Sequence, residues 1–200
     1  MNFLAHSYLS GSSEPILVGN FIGDFVKGKA FETYPDEIRN GIWLHREIDS
    51  YTDSHPEVRK CRKRLWPNFH HYAGVVIDLF NDHLLAVEWS AYSATPLEEF
   101  AGHVYKTMQR NDDILPAGAR RMLPYMIDGN WLVSYGTLSG IDRALTGLSQ
   151  RTSFRSNMEN ASRELARDYD FYRESFQNFF PDLMSFVDDK NPYFNLPDFE

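Results

Sequence analysis

The spacing of apolar and polar residues predicts helices along the whole chain. Apolar residues return at near-helical spacing in one segment after another, as at Ile38, Ile42 and Ile48, which is typical of helices that bury one face. We find no convincing alternation of apolar and polar residues of the kind that half-buried strands show, and no repeat or low-complexity linker. The pattern therefore predicts an all-α protein with a single domain over residues 1–200.

Capping residues and prolines set the expected ends of these helices. Asp36 and Thr95 are the expected N-caps of two of them, and Pro96 would occupy the first turn of the second. Pro67 should end a basic helix, and Pro181 should kink or break the last and longest one. The expected helical segments cover residues 37–49, 58–65, 71–92, 96–110, 116–135, 140–148 and 157–189.

The stretch from Gly74 to Trp89 places three ionisable residues inside an apolar run. Asp78 and Asp82 are four residues apart, so on a helix they share one face at a separation of roughly 6 Å. Two carboxylates at that distance repel each other unless a cation or a proton lies between them. With the adjacent His83, the set suits a divalent metal such as Mn²⁺, Fe²⁺ or Zn²⁺. The alternative is a surface stripe in which an aspartate caps a helix or forms a salt bridge.

Further histidines and aspartates are concentrated in the first half of the chain. His45 and Asp49 are four residues apart and share a helical face, while His6 and Asp24 each lie among apolar neighbours. Helices that direct histidines and carboxylates inward are a known way of building metal sites. Each residue also has a purely structural alternative: a backbone hydrogen bond for His6, a helix cap for Asp24, and an intrahelical pair for His45 and Asp49.

The candidate metal ligands combine imidazole and carboxylate groups without a thiolate, which favours Mn, Fe, Zn or Mg over Cu(I) or an iron–sulfur cluster. The single cysteine, Cys61, excludes an internal disulfide and a multi-cysteine metal site. Asp53 and His55, near the expected end of their helix, are more simply explained as a pair with each other. The candidate ligands are Asp24, His45, Asp49, Asp78, Asp82 and His83.

The charge distribution indicates an acidic protein partner. A net charge of −8, from 28 acidic and 20 basic residues, argues against a general nucleic-acid binder. One basic run at 59–64 stands out, and charges at the rim of an interface steer association with an oppositely charged partner. The alternative is a solvated helix face. The candidate partner-binding residues are Arg59, Lys60, Arg62, Lys63 and Arg64. Elsewhere, Arg46, Arg143 and Arg151 could bind phosphate through their guanidinium groups.

Nothing in the sequence indicates export or membrane insertion. The N-terminus lacks a basic segment, and no stretch approaches the roughly 20 apolar residues that span a bilayer. We therefore expect a cytoplasmic protein that does not bind membranes. The aromatic residues near the C-terminus are expected to pack in the core; they are Tyr169, Phe171, Tyr172, Phe176, Phe179, Phe180 and Phe186.

Four ordered segments resemble those of the acyl-carrier-protein phosphodiesterases, or ACP hydrolases. They read M-N-F-L-A-H at 1–6, G-N-F-I-G-D-F-V-K-G at 19–28, G-I-W-L-H-R-E-I-D-S-Y-T-D-S-H-P at 41–56 and Y-A-G-V-V-I-D-L-F-N-D-H at 72–83. The resemblance implies hydrolysis of the phosphodiester that joins 4′-phosphopantetheine to a serine of holo-ACP. The products would be apo-ACP and 4′-phosphopantetheine, the metal would be Mn²⁺, and the strongly acidic carrier would dock on the basic run.

The resemblance also implies an HD-like helical bundle, because this family is similar to the HD phosphohydrolases. The chain departs from the usual HD pattern, since it contains no His-Asp dipeptide and its adjacent pair, Asp82-His83, stands in reverse order. We expect Asp49 to be a metal ligand or to orient His45. His6 is expected to act as a catalytic acid or to support a metal ligand from behind. Arg46 is expected to contact phosphate. The residues expected around the metal itself are Asp24, His45, Asp78, Asp82 and His83, and Asp24 is also a candidate catalytic residue.

Two other functions stay open from the sequence. One is an HD-type phosphohydrolase that acts on a nucleotide or another small phosphodiester, and its activity would not depend on the basic run. The other is a non-catalytic helical adaptor for an acidic partner protein. An adaptor would bind no stoichiometric metal and would tolerate alanine at Asp24 and Asp78.

Overall fold

The computed structural model describes residues 1–190, and this part of the chain folds into eleven α-helices without a strand. The prediction of an all-α protein is confirmed. Short 3₁₀ turns at 23–25, 28–33, 70–72, 89–91 and 158–160 connect several of the helices. The helices are α1 (Phe3–Tyr8), α2 (Glu14–Ile22), α3 (Asp36–Ser54), α4 (Pro56–Phe69), α5 (Ala73–Val87), α6 (Leu97–Arg110), α7 (Ala117–Asp128), α8 (Trp131–Ser134), α9 (Leu138–Ser149), α10 (Ala161–Arg167) and α11 (Tyr169–Lys190).

Helices α2 and α3 cross at two glycines, and this crossing positions the candidate site. A Cβ atom on Gly19 would lie 2.1 Å from the carbonyl oxygen of Ile38, and one on Gly41 would lie 2.4 Å from that of Ile16. Neither distance is sterically possible, so both positions require glycine for the two backbones to come this close. The close approach brings the C-terminal end of α2 against the middle of α3, where His45 lies.

The core is one cluster of buried side chains that extends from α1 to α11. Helix α5 contributes heavily, with Val76, Ile77, Leu79 and Phe80 all buried. The prediction that the C-terminal aromatics pack in the core is confirmed: Tyr172, Phe176, Phe179 and Phe180 are buried, and Tyr169, Phe171 and Phe186 pack against the cluster. No helix within residues 1–190 is both long and apolar enough to cross a membrane.

Several helix boundaries differ from the sequence prediction because proline begins some of these helices and lies inside others without ending them. Pro35 and Pro96 take the N-cap positions expected for Asp36 and Thr95, and their fixed φ suits the entry to a helix. Pro67 lies in the last turn of α4, and α11 runs through Pro181 without ending. Apolar side chains are buried on both sides of Pro181, as at Phe180 and Leu183, and their packing offsets the missing backbone hydrogen bond. The C-terminal segment breaks instead at 168, between α10 and α11.

Candidate metal centre and its cavity

Two helices that are distant in sequence bring His6, His45 and Asp49 together. His6 comes from α1, whereas His45 and Asp49 lie one turn apart on α3. One ligand atom from each residue lies within 4.8 Å of the others, a separation that one metal ion could bridge. Asp49 Oδ1 lies 3.2 Å from His6 Nε2, and Asp49 Oδ2 lies 3.2 Å from His45 Nε2. The expected grouping of His45 with Asp49 is present, and His6 is a closer member of it than the sequence indicated.

Asn20, near the end of α2, orients both imidazole rings. Its side-chain amide donates to the carbonyl oxygen of His6 and to Ser10 Oγ, so its Oδ1 is left to accept from His6 Nδ1 at 2.8 Å. The backbone carbonyl of Asn20 accepts from His45 Nδ1 at 2.9 Å. With both Nδ1 atoms donating, both Nε2 atoms face Asp49 with their lone pairs. This is the tautomer that a metal-ligating histidine requires.

The electrostatics of the cluster require a positive charge at its centre. Two neutral imidazoles whose Nε2 lone pairs face a carboxylate are repulsive unless a proton or a cation lies between them. Burial lowers the pKa of His45, but its hydrogen bonds with Asp24 and Asp49 outweigh burial and raise that pKa to about 9. Burial and the neighbouring His45 lower the pKa of His6 to about 4. A divalent cation satisfies both rings at once, so the donor set fits a metal such as Mn²⁺, Fe²⁺ or Zn²⁺.

Asp49 and Asp24 supply the negative charge of the cluster. Burial raises the pKa of Asp49, but hydrogen bonds with His45 and His6 hold it well below its usual range. Asp24 lies on the 3₁₀ turn after α2, with Oδ1 3.4 Å from His45 Nε2. Burial opposes its ionisation, but the hydrogen bond with His45 lowers the pKa of Asp24 overall. Asp24 therefore adjoins the cluster as expected, and it is the most exposed of these residues.

Gly23 makes room for the His45 ring. A Cβ atom at Gly23 would lie 2.2 Å from His45 Cγ, far inside van der Waals contact. The backbone of Gly23 is in the ordinary right-handed region, with φ −50° and ψ −43°, so glycine is needed here for space rather than for conformation. The Gly23–Asp24 turn thus packs directly against the candidate metal ligand.

Asp78 faces the same site from α5 but is separated from the two histidines by the amino group of Met1. That group lies 2.9 Å from Asp78 Oδ1 and 3.5 Å from Asp49 Oδ1. Burial raises the pKa of Asp78 to about 6, although the positive charge of Met1 opposes the rise. The structure therefore places Asp78 next to the cluster, where its membership of the ligand set stays a prediction.

Asp82 contacts the start of α1, and its expected role as a metal ligand stays a prediction. Its two oxygens accept the backbone N–H groups of Asn2, Leu4 and Ala5 at 3.1, 2.8 and 3.3 Å, which are free donors at the start of α1. Burial raises the pKa of Asp82 to about 7, although these N–H groups favour its charged form. Because α1 uses the carboxylate in this way, Asp82 holds the helix that carries His6 and is not placed in the metal cluster.

His83 is also placed apart from the cluster. Its Nδ1 donates to the carbonyl oxygen of Tyr135 at 2.7 Å, and its Nε2 lies 3.2 Å from Tyr169 Oη. Burial lowers the pKa of His83 below its ordinary value. With both ring nitrogens occupied, His83 connects α5 to the α8–α9 turn and to α11. Both members of the reversed Asp82-His83 pair thus contact other parts of the fold, and their expected role as metal ligands stays a prediction.

Arg46 has partners within the fold, so its expected contact with phosphate stays a prediction, and the Asp53–His55 pair differs from expectation. Arg46 donates to the carbonyl oxygens of Val26 and Gly28 at 3.1 and 3.0 Å, and its guanidinium lies over the Phe31 ring. It therefore fixes the segment after Asp24 rather than presenting a free phosphate-binding group. In place of the expected mutual pair, Asp53 contacts Arg62 and His55 contacts Asp182.

The basic run lies along α4, where most of its charges have partners. Lys60 pairs with Glu57, Arg62 with Asp53 and Arg64 with Asp168, at 3.1, 2.8 and 2.9 Å. Within residues 1–190, only Arg59 and Lys63 of this run lack an acidic partner, and Arg59 donates to the carbonyl oxygen of Asp53. The expected docking of an acidic protein here stays a prediction, and three of its five charges are already compensated.

A cavity of about 680 Å³ adjoins the cluster. Asp24, Asp49 and Asp78 line it, and α7, α8 and α9 contribute mostly apolar side chains such as Met122 and Trp131. Its size is in the range of cavities that bind drug-sized ligands. A polyanionic or polar group could therefore reach the cluster while an attached chain occupies the apolar part.

Two features of the site were missed in the sequence. Asn20 had a visible signal, because it is an amide inside an apolar run, but nothing local indicated that it contacts two histidines. Along the cavity wall from α7 to α9, only Arg143 and Arg151 had a signal as candidate phosphate-binding residues, because the other residues are mostly ordinary small and apolar ones.

Comparisons with known proteins agree on one family. The family model described as acyl carrier protein phosphodiesterase matches residues 1–183. A curated acyl carrier protein phosphodiesterase from Enterobacter sp. is 31% identical over 188 residues, which is 92% of this chain and 96% of that relative. The one from Klebsiella pneumoniae subsp. pneumoniae is 32% identical, covering 95% and 99%, and that from Escherichia coli O139:H28 is 33% identical, covering 92% and 96%. No solved structure matches the chain significantly.

Proposed function

The chain belongs to the acyl carrier protein phosphodiesterase family, and from this premise we propose that it hydrolyses the phosphodiester linking 4′-phosphopantetheine to a serine of holo-ACP with the help of a divalent metal. The observation that carries the metal dependence is the arrangement of His6 Nε2, His45 Nε2 and Asp49 around one point. The products are apo-ACP and 4′-phosphopantetheine, and the expected ion is Mn²⁺.

The ligands in this proposal are His6, His45 and Asp49, with Asp24 beside them and Asn20 orienting both rings. When bound, a divalent ion supplies Lewis acidity toward a phosphoryl oxygen and toward water. His6 is better suited to be a ligand than the acid expected from sequence, because its low pKa keeps it neutral near pH 7. Asp82 and His83 are left out of the proposed set because their polar atoms are used elsewhere.

Asp24 is the residue that we assign to the attacking water. It is exposed at the cavity, and its lowered pKa keeps it ionised near neutral pH. A carboxylate in that position can accept a hydrogen bond from water and take up its proton as the water attacks phosphorus. The proton of the water passes to Asp24, the bond from phosphorus to the serine oxygen breaks, and the departing serine oxygen takes up a proton from Asp24 or from solvent water.

The test combines metal analysis with turnover of holo-ACP. Purified protein should bind a stoichiometric divalent ion and release 4′-phosphopantetheine, and chelation should abolish the release. Asp49→Asn and His45→Ala should lose both metal and activity. Absence of turnover with Mn²⁺ and holo-ACP would contradict the proposal. Turnover of a small diester alone would favour the small-substrate phosphohydrolase, and neither metal nor turnover would favour the adaptor.

A further inference from the structure

Helix α9 presents one continuous face to the cavity. The residues involved are spaced three and four apart, which places them on one side of a helix. They therefore form one surface rather than scattered contacts. The face consists of Gly140, Arg143, Ala144, Gly147, Leu148 and, just after the helix, Arg151.

Two of these residues are arginines without an internal partner. Arg143 and Arg151 are exposed, and neither forms an ion pair or a side-chain hydrogen bond with another residue of the described chain, 1–190. The basic run of α4 differs, because Lys60, Arg62 and Arg64 are each paired with an acid. An acidic ligand could therefore bind the two arginines of α9 without breaking an existing ion pair.

We propose that this face of α9 recognises the prosthetic-group end of the carrier protein. The inference rests on the proposed function and names the surface that gives it substrate specificity. The pantetheine arm, a flexible chain with apolar and amide segments, lies in the cavity along Ala144, Gly147 and Leu148. Arg143 and Arg151 pair with carboxylates of the acidic carrier around the modified serine, while the phosphate lies toward Asp24 and Asp49.

The residues that line the cavity support this assignment, and so does its size. It is bounded by the carboxylates of the metal cluster and by the α9 face, so a single ligand can contact both. Its volume of about 680 Å³ exceeds what a phosphate group alone needs. A substrate that used only the cluster would leave most of the cavity empty.

Gly147 allows the cavity to be filled without disturbing the fold. A Cβ atom at this position would meet no atom within 4 Å, and the same is true of Gly102 on α6, which does not line the cavity. Gly147→Leu should weaken binding of free 4′-phosphopantetheine by about tenfold or more, because the new side chain occupies the space of the arm. Gly102→Leu is the matched control and should bind like the wild type.

Charge reversal compares how much the arginines of α9 and the basic run of α4 contribute to binding of holo-ACP. Arg143→Glu/Arg151→Glu and Arg59→Glu/Lys63→Glu change the net charge by the same amount, and neither pair breaks an ion pair with an acid. The α9 variant should raise KM for holo-ACP about tenfold or more with little change in kcat, and more than the α4 variant does. Hydrolysis of bis(4-nitrophenyl) phosphate, which has no arm or carrier, should change much less than hydrolysis of holo-ACP in the α9 variant.

The outcomes separate this inference from the proposed function. If the wild type hydrolyses holo-ACP but the α9 and Gly147 variants match it, the function stands and the recognition surface is overturned. A larger KM effect from the α4 pair would place docking on α4 and would also overturn it. If the wild type does not hydrolyse holo-ACP, the function fails, and binding of free 4′-phosphopantetheine still decides whether the cavity holds the arm.

Discussion

His6 and His45 stack ring on ring, with 3.9 Å between their centroids and 17° between their planes. They come from helices that are far apart in sequence, and Asn20 holds the Nδ1 atom of each. Two stacked imidazolium ions would repel each other, so the pair cannot both be protonated at low cost. This geometry connects α1, α2 and α3 to one point and makes Asn20 central to metal binding.

Replacing Asn20 should weaken metal binding more than it weakens the fold. Asn20→Ala removes the acceptor of His6 Nδ1 but keeps the backbone carbonyl that orients His45. Loss of such an outer hydrogen bond costs about 10–100-fold in metal affinity. Isothermal titration with Mn²⁺ measures the effect. Asn81→Ala is the control, because Asn81 is also buried and its side-chain nitrogen has no partner. Equal affinities in the two variants would argue against the role of Asn20.

Substitutions at Asp49 and Asp82 should affect different properties, metal binding in the first case and stability in the second. Asp49→Ala removes a ligand and should abolish stoichiometric metal. Asp82→Ala leaves three backbone N–H groups without their acceptor, and we expect a loss of about 3 kcal/mol in the free energy of unfolding. Urea unfolding of metal-free protein and metal analysis of the folded variants measure the two effects. An Asp82→Ala protein that kept its stability but lost its metal would return Asp82 to the ligand set.

The helical class and the approximate site were predictable from sequence because both depend on local spacing. The four-residue spacing of His45 and Asp49 correctly predicted that they share a face of α3. The same rule applied to Asp78 and Asp82 also held, but it could not show that the start of α1 would dock on Asp82. That outcome depends on tertiary packing, and the N–H groups at a helix end compete with a metal for the same oxygens.

The contacts of the charged residues and the place of Pro181 in its helix depend on residues that lie far away in sequence. Arg64 finds Asp168 and His55 finds Asp182, so the charge of α4 cannot be judged from the run alone. Pro181 stays within α11 because one face of this helix is buried along its length, and local propensity does not include such packing. Sequence spacing therefore identified the residue types of the site, and the packing of distant helices selected among them.

Gly23→Ala should disturb the metal centre without removing any polar group. Its Cβ atom would lie 2.2 Å from His45 Cγ, so the ring or the Gly23–Asp24 turn must shift. We expect metal affinity to fall by about tenfold or more, since ligand geometry is sensitive to small displacements. Gly102→Ala is the matched control, because its Cβ would meet nothing, and it should bind metal normally. Titration with Mn²⁺ compares the two, and unaltered affinity in Gly23→Ala would mean that the ring position is not critical.

His83 should make the fold less stable in acid. Burial lowers the pKa of His83 in the folded state, whereas in the unfolded chain it is about 6.5. Below that value the unfolded chain binds a proton that His83 does not take up in the folded protein, so the contribution of His83 to the free energy of unfolding falls as pH falls from about 7.5 to about 5.5. His83→Gln cannot take up this proton, and its stability should decline less over the same range. Urea unfolding at the two pH values measures the difference, with His71→Gln as a control at an exposed histidine. Parallel curves for wild type and His83→Gln would show that His83 is not the group responsible. The acid sensitivity would then be assigned to His6, whose pKa burial also lowers.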